Sequence, residues 1–246
     1  MPKPFLLDLS LPSPAANLAL DEALLDCCES GEGPASGVLR FWETPDIFVV
    51  VGYGNRIATE VNQAACRAAA IPILRRCSGG GTVVQGPGCL NYSLILPVPE
   101  SGPLASITGA NDFIMQRNRD ATASLMHQPV AIQGHTDLTL ASRKFSGNSQ
   151  RRRRQFLLFH GTFLLAFDLA AIELALLPPT REPAYRSGRH HRDFLTNLPP
   201  HITAQSLRHA LQTHWHAHLD LTSPPLTAAH ELARTRYTSD AWNLRL

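Results

Sequence analysis

The chain reads as an α+β protein built on a mixed, largely antiparallel sheet flanked by helices. Three observations predict it. Short runs rich in Val, Phe and Trp, such as GVLRFWE and DIFVVVG, follow one another closely, as buried strands do. Helical spacing appears between groups of such runs and not after each one, which argues against a strictly alternating parallel sheet. Tight-turn signals such as SGG and GPG punctuate the strand-like stretches.

Taken in order, Ser13-Pro14 opens a first helix, ANLALDEALLDCCE. Leu18, Ala19, Ala23, Leu24 and Cys27 fall near helical spacing there, Ser13 can cap it, and Pro14 suits its first turn. GVLRFWE and DIFVVVG are the next two strands. TEVNQAACRAAA is expected to be one compact helix, closed by Ile71-Pro72. PILRRC, GTVVQ and LNYSLILP are strands, and residues 105 to 126 have a helical period. From 131 to 169 several short strands are expected, with turns at Gly134, Ala141-Ser142 and Gly147-Asn148. Helices near 168–176, 203–218 and 226–236 complete the chain.

Bulk properties narrow the class. A length of 246 residues with 44% hydrophobic content supports a sizeable core. A net charge of +2 gives no electrostatic footprint for nucleic acid. No apolar run reaches the ~18 residues of a membrane span. Asp8 and two prolines break the N-terminal apolar stretch, so no signal peptide is read. The five cysteines, Cys27, Cys28, Cys66, Cys77 and Cys89, are odd in number and all lie in the first part of the chain. They form neither a disulfide framework nor a zinc pattern, and a reducing cytoplasm is the simplest setting. Leu177-Pro178-Pro179 and Ser223-Pro224-Pro225 lie too near the end to release a second full domain, so residues 1–246 are expected to form one domain.

Three clusters carry candidate chemistry. The first is RRCSGGGTVV, residues 75–84. It is neither a P-loop nor a dinucleotide fingerprint, because Walker spacing and G-x-G-x-x-G are both absent. Two readings stand: a hairpin turn, or an anion nest in which bare backbone accepts a ligand while Arg75 and Arg76 hold its phosphate or carboxylate. The second cluster is GHTDLTLASRKFSGNSQ, with Lys144 seven residues after Asp137. The third is FHGT at 159–162. Alone, a lysine is solvated and a histidine is satisfied by backbone; together the three clusters could line one cleft.

These clusters resemble those of the lipoate–protein ligase family, within the wider group of biotin ligases and lipoyl/octanoyl transferases. NLALDEALL resembles the family's opening helix and LRFWETPDIFVVVGYGN its first strands. RRCSGGGTVVQGPGCLNYSLIL is similar to its signature loop, RKFSGNSQ to its lysine motif, and FHGTFLL to the strand that follows. SGRHHRDFLTNL resembles the segment that closes the catalytic core. The resemblance implies a biotin/lipoate ligase-like catalytic domain. It also implies ATP-dependent activation of lipoate as lipoyl-AMP, then transfer to a lysine of a lipoyl-domain protein. The acceptors implied are the E2 chain of a 2-oxoacid dehydrogenase, the glycine-cleavage H protein or a similar small carrier.

By the same resemblance, Lys144 stabilises charge on the acyl carbonyl and α-phosphate. Arg76 and Ser78 fall beside the acyl group and phosphate, and Gly79, Gly80 and Gly81 let the acyl-adenylate lie against backbone. Val83 and neighbouring main chain flank the adenine. Thr136 and Asp137 occupy the place of an Asn-Asp pair near the phosphate and a Mg²⁺, with Thr departing from the pattern; a carboxylate suits that cation. Ser146, His160 and Thr162 complete the adenylate pocket. Cys89 stands where many ligases have Asn and receives no role.

Octanoyltransferases of this fold carry acyl groups on a Cys placed after, or a strand or helix length before, the family Lys. Residues 90–246 contain no Cys, and Cys77 and Cys89 lie on the glycine-rich signature instead. The ligase is therefore expected over a covalent transferase or a noncatalytic binding module. Arg151 to Arg154 are read either as a solvated loop face or as a docking site for an acidic acceptor. Only about two or three helices' worth of chain follows Asn197-Leu198, so a C-terminal accessory domain is expected to be missing, reduced or supplied by another polypeptide.

Overall fold

A computed structural model describes residues 3–179 and 181–246. The N-terminal strand β1 (Phe5–Asp8) leads into α1 (Pro14–Glu29), where the Ser13 side chain accepts from the Ala16 N–H. β2 (Val38–Trp42) and β3 (Phe48–Val51) are wholly buried. The helix expected over 59–70 is two short ones, α2 (Ile57–Glu60) and α3 (Gln63–Ala68). Val61 between them is extended, and Asn62 caps α3 through the Ala65 N–H. An Asn side chain competing for backbone donors restarts a helix more readily than it continues one.

β4 (Ile73–Arg75), β5 (Val83–Gln85) and β6 (Cys89–Pro97) follow, then α4 (Ile107–Ala123). β7 (Ala131–Gln133), β8 (Asp137–Leu140), β9 (Arg143–Arg152) and β10 (Phe156–Leu164) form consecutive hairpins. The turn expected at Gly147-Asn148 does not exist, because β9 runs straight through it. The chain reverses instead after Arg153, where the Glu29 carboxylate accepts from the N–H groups of Arg154, Gln155 and Phe156. The remaining helices are α5 (Ala170–Ala175), α6 (His191–Phe194), α7 (Ala204–Trp215), α8 (Leu226–Leu232) and α9 (Asp240–Asn243).

The seven-stranded sheet has the order β1-β2-β6-β10-β9-β8-β7, parallel only between β1 and β2. A second sheet has the order β4-β3-β5, parallel between β3 and β4. The fold is thus the mixed, largely antiparallel α+β arrangement. Strand alternation divides β10 between two layers. Phe159 and Phe163 face a core shared with Ile114 of α4 and Trp215 of α7, whereas Leu158 packs with Leu20 and Leu24 of α1. His160 and Thr162 share the α1 side with Leu158, and the small sheet packs over that side. The residues after 198 enter the α4 core through Ile202, Leu207 and Trp215, and Tyr237 packs in a further core with Trp42, Phe48 and Val50. Among the described residues, no helix is long and apolar enough to cross a membrane.

Candidate active site

The glycine turn between β4 and β5 is held by its carbonyls. Ser78 O accepts from the Tyr53 N–H at 2.8 Å. Gly79 O accepts from Arg76 Nη2 and from Ser149 Oγ, Gly80 O from Asn55 Nδ2, and Gly81 O from Arg76 Nη2 at 2.8 Å. Among the described residues, no protein acceptor takes the N–H of Gly79, Gly80 or Gly81. A turn with its acceptors tied down and its donors free is an anion nest. Gly80 has φ +81°, and a Cβ on Gly52 would lie 2.1 Å from Gly80 O, so both positions need glycine.

The two adjacent arginines do different work. Arg75 is fully buried and donates to Gly52 O, Tyr53 O and Asn55 O, and to backbone at the C-terminus. It is a structural brace and does not face a ligand, contrary to the anion-holding reading. Arg76 lies on the cleft, but its guanidinium also bonds Ser78 Oγ and Val50 O. Burial lowers its pKa to about 10, so it remains charged at neutral pH. Arg76 therefore organises the nest from beneath.

Ser78 is buried, with Oγ 2.5 Å from His160 Nε2, and His160 Nδ1 lies 3.5 Å from Asp21 Oδ2. Asp21 in turn pairs with the fully buried Arg40 at 2.6 Å. Burial acts to raise the Asp21 carboxyl, but Arg40 and His160 outweigh it and hold the carboxyl below its ordinary range. Thr162 Oγ1 bonds Gln85 and Asn91 on the cleft floor.

Lys144 forms the opposite wall. Its Nζ pairs with Asp137 Oδ1 at 2.8 Å, and Asp137 Oδ2 accepts from the Tyr185 hydroxyl at 2.7 Å. A Cβ at Gly147 would lie 2.7 Å from Lys144 Nζ, so this glycine gives the lysine its bed and makes no turn. The register shifts here: Thr139 opposes Lys144, yet Leu138 opposes Ser146, so Phe145 is the extra residue of a β-bulge. The bulge reverses side-chain parity. Lys144 faces the cleft, whereas Ser146 turns to the other side, buried beside Asn148 Nδ2 at 3.4 Å. Ser146 is thus not a lining residue, contrary to expectation. Thr136 is locked to Asn148 by two reciprocal hydrogen bonds.

A cleft of about 630 Å³ joins these walls. It brings together Arg76, Gly80, Gly81, Val83, Thr136, Asp137, Lys144, His160 and Thr162, but not Ser78, Gly79 or Ser146. Glu60 also lines it, accepting from Asn55 Nδ2 and Thr82 Oγ1, a contribution that nothing in the sequence signalled. Asp21 is another lining residue that the sequence reading passed over; an acid within the apolar NLALDEALL helix was the available clue. A separate cavity of about 790 Å³ near Pro45, Ala70 and Leu174 touches none of these groups.

The lipoyl protein ligase A/B catalytic domain model matches residues 13–216. The chain belongs to this lipoate–protein ligase family. A putative lipoate-protein ligase A of Aeropyrum pernix is 27% identical over 92% of this chain and 86% of its own length. The octanoyltransferase LipM of Bacillus subtilis is 28% identical over 95% of each. Lipoate-protein ligase A subunit 1 of Thermoplasma acidophilum is 24% identical over 94% of this chain and 92% of its own length. Among solved structures, a bi-partite lipoate protein ligase from T. acidophilum superposes with a TM-score of 0.82 at 23% identity, covering 99% of this chain and 97% of that one. A lipoate-protein ligase A bound with ATP gives 0.80 at 23% identity, covering 98% of each chain.

Two features separate this family member's chemistry from its scaffolding. None of the five cysteines lines the cleft. Burial pushes the thiols of Cys28, Cys77 and Cys89 up to about 12, which disfavours the nucleophilic thiolate. The arginine run, read as a solvated or docking face, is mostly half-buried and bonded within the protein. Arg151 donates to Cys77 O, Arg152 to Leu104 O, and Arg153 pairs with Asp26 at 2.8 Å; Arg154 is exposed.

Proposed function

We propose that the chain is an ATP-dependent lipoate–protein ligase that makes lipoyl-AMP and passes the lipoyl group to a lysine of an acceptor lipoyl domain. One observation carries this reading: a free-donor glycine nest faces a paired lysine across a cleft that no thiol lines. In the first step the lipoate carboxylate attacks the α-phosphate of ATP, a C–O–P bond forms, and pyrophosphate leaves with the electron pair. In the second, the acceptor's neutral lysine amine attacks the acyl carbonyl. An amide forms, AMP departs, and the amine proton is released.

The free N–H groups of Gly79, Gly80 and Gly81 suit the phosphate or the acyl carboxylate, with Arg76 fixing their direction. Lys144 stabilises the charge that develops at the carbonyl and α-phosphate. Val83 flanks the adenine, and Thr136, His160 and Thr162 shape the pocket around the adenylate. Ser78 acts indirectly, through Arg76 and His160.

Among the described residues, no group of three or more His, Cys, Asp or Glu forms a metal cage. Asp137 is a lone carboxylate whose two oxygens hold Lys144 and Tyr185. That donor set fits a Mg²⁺ completed by phosphate oxygens and water, with Asp137 as its protein ligand, and not a preformed site. Bound there, the cation would offset phosphate charge.

The second reading, an octanoyl or lipoyl transferase, is supported by the similarity to LipM over 95% of both chains. The thiol-free cleft favours the ligase, because a thioester route needs a cysteine within reach. The similarity to a subunit 1 and to a bi-partite ligase supports a separate accessory polypeptide acting with this single catalytic domain. Five free cysteines suit a reducing cytoplasm. Lipoate-dependent exchange of labelled pyrophosphate into ATP tests the adenylation step. The ligase exchanges label and Lys144→Ala does so far more slowly; wild type lacking exchange but transferring acyl groups from an acyl-carrier thioester would be a transferase.

A further inference from the structure

A strap formed by residues 181–196 lies along the cleft, with Pro183, Arg186 and Phe194 among its lining residues. It is joined to the lysine pair at two points. At one, Tyr185 donates to Asp137 Oδ2 at 2.7 Å while Asp137 Oδ1 holds Lys144 Nζ at 2.8 Å. At the other, the Thr196 N–H donates to the Lys144 carbonyl at 2.9 Å, and Arg143 donates to Leu195 O at 2.9 Å. The Tyr185 ring packs on Phe194, with centroids 5.2 Å apart, and sits over Gly134. Burial, and then the Asp137 carboxylate, push the phenol well up, so it is a neutral donor at working pH.

We infer that Tyr185 is a positioning residue whose hydroxyl ties the strap to Asp137, so that strap closure and the setting of Lys144 are one event. A carboxylate gripped at both oxygens has a fixed plane, and a charge-assisted bond makes that grip firm. Releasing one oxygen frees the plane and the lysine bound to the other oxygen, and leaves this side of the strap held through Thr196, Leu195 and Arg189. The inference uses the adenylation reading only for its kinetic readout; its structural readout needs no activity.

Tyr185→Phe keeps the ring on Phe194 and deletes only the hydroxyl. Tryptic cleavage at Arg181, Arg189 and Arg192, followed by peptide mass in ligand-free protein, should accelerate about tenfold, the order expected for losing a hydrogen bond to a charged acceptor. Asp137→Ala should release the strap similarly. The double variant should be cut no faster than Asp137→Ala, because both changes remove the same link. In pyrophosphate exchange, Tyr185→Phe should lower kcat more than it raises the KM for ATP, since a misplaced Lys144 acts in the transition state. A Tyr185 that ties the strap without setting Lys144 leaves kcat unchanged, and one that holds the strap through other groups gives additive accelerations in the double variant. Either result, or unchanged strap cleavage in Tyr185→Phe, overturns the inference. If wild type shows no exchange at all, the adenylation reading falls, and the cleavage cycle still decides whether Tyr185 ties the strap through Asp137.

Discussion

Gly147→Ala isolates the bed of Lys144. A Cβ at this position would lie 2.7 Å from both Cε and Nζ of the lysine, while the next contact, Asp137 Oδ1, is at 3.7 Å. An ordinary carbon contact is ~3.5–4.0 Å, so the ammonium must retreat by about 1 Å. The obstacle is the end of a flexible side chain, and the strand position needs no unusual φ. The fold should therefore be nearly unaffected, within about 0.5 kcal/mol, as for other changes that leave the core alone. The reaction should suffer far more, because a 1 Å misplacement of a catalytic group can cost ~10²-fold in rate. Lipoate-dependent pyrophosphate exchange and thermal unfolding, measured on the same preparation, separate the two effects. Exchange within threefold of wild type by a folded Gly147→Ala protein would refute the role of Gly147 in seating Lys144. A large fall in Tm with proportionate loss of activity would mean that the clash propagates into the sheet.

Lys144→Ala should lower adenylation by ~10²–10³ with the fold retained, read by exchange and circular dichroism. Gly161→Ala should behave oppositely to Gly147→Ala: its Cβ would lie 1.7 Å from Asn148 Oδ1, inside a locked network, and Tm should fall as for an overpacking cost of about 1–3 kcal/mol. Asp21→Asn strands a fully buried guanidinium and should cost about 3–5 kcal/mol in denaturant unfolding. The Asp21 carboxyl is depressed, so its stabilisation is complete above its ordinary value of 3.8 and is lost as pH falls below that; the gap between wild type and Asp21→Asn should narrow there. Replacing Arg151–Arg154 with Gln should lower Tm and slow adenylation, because Arg151 and Arg153 brace Cys77 and α1; a salt-sensitive defect confined to acceptor use would restore the docking reading.

How much of this was legible in the sequence depends on what each residue type leaves open. The glycine triplet and Lys144 could be read because their chemistry and order are restrictive, and the structure brings Gly80, Gly81 and Lys144 to one cleft. Arg75 and Arg76 could not be told apart, since adjacent strand-end residues point opposite ways and only the packing of the C-terminus on β4 decides which is the brace and which faces the cleft. The resemblance puts Ser146 in the pocket, but a bulge, which no motif announces, adds Phe145 to the strand and turns Ser146 to the other side. Gly147-Asn148 carries turn chemistry, yet its glycine accommodates a side chain within a continuous strand. Arg40 sits in an otherwise apolar strand and gave no sign of Asp21, its partner 19 residues earlier. Tyr185 was invisible because its role depends on where a strap folds back.

Adenylation without a protein thioester is read from the intact mass of the acceptor. A protein with Cys77 and Cys89 both changed to Ala is incubated with ATP, Mg²⁺, lipoate and a lipoyl-domain acceptor, with a candidate accessory polypeptide added in a parallel sample. The acceptor should gain one lipoyl group, dependent on ATP, with no acyl adduct left on the catalytic chain. Acylation that requires an acyl-carrier thioester, proceeds without ATP and disappears with the two cysteines would contradict it.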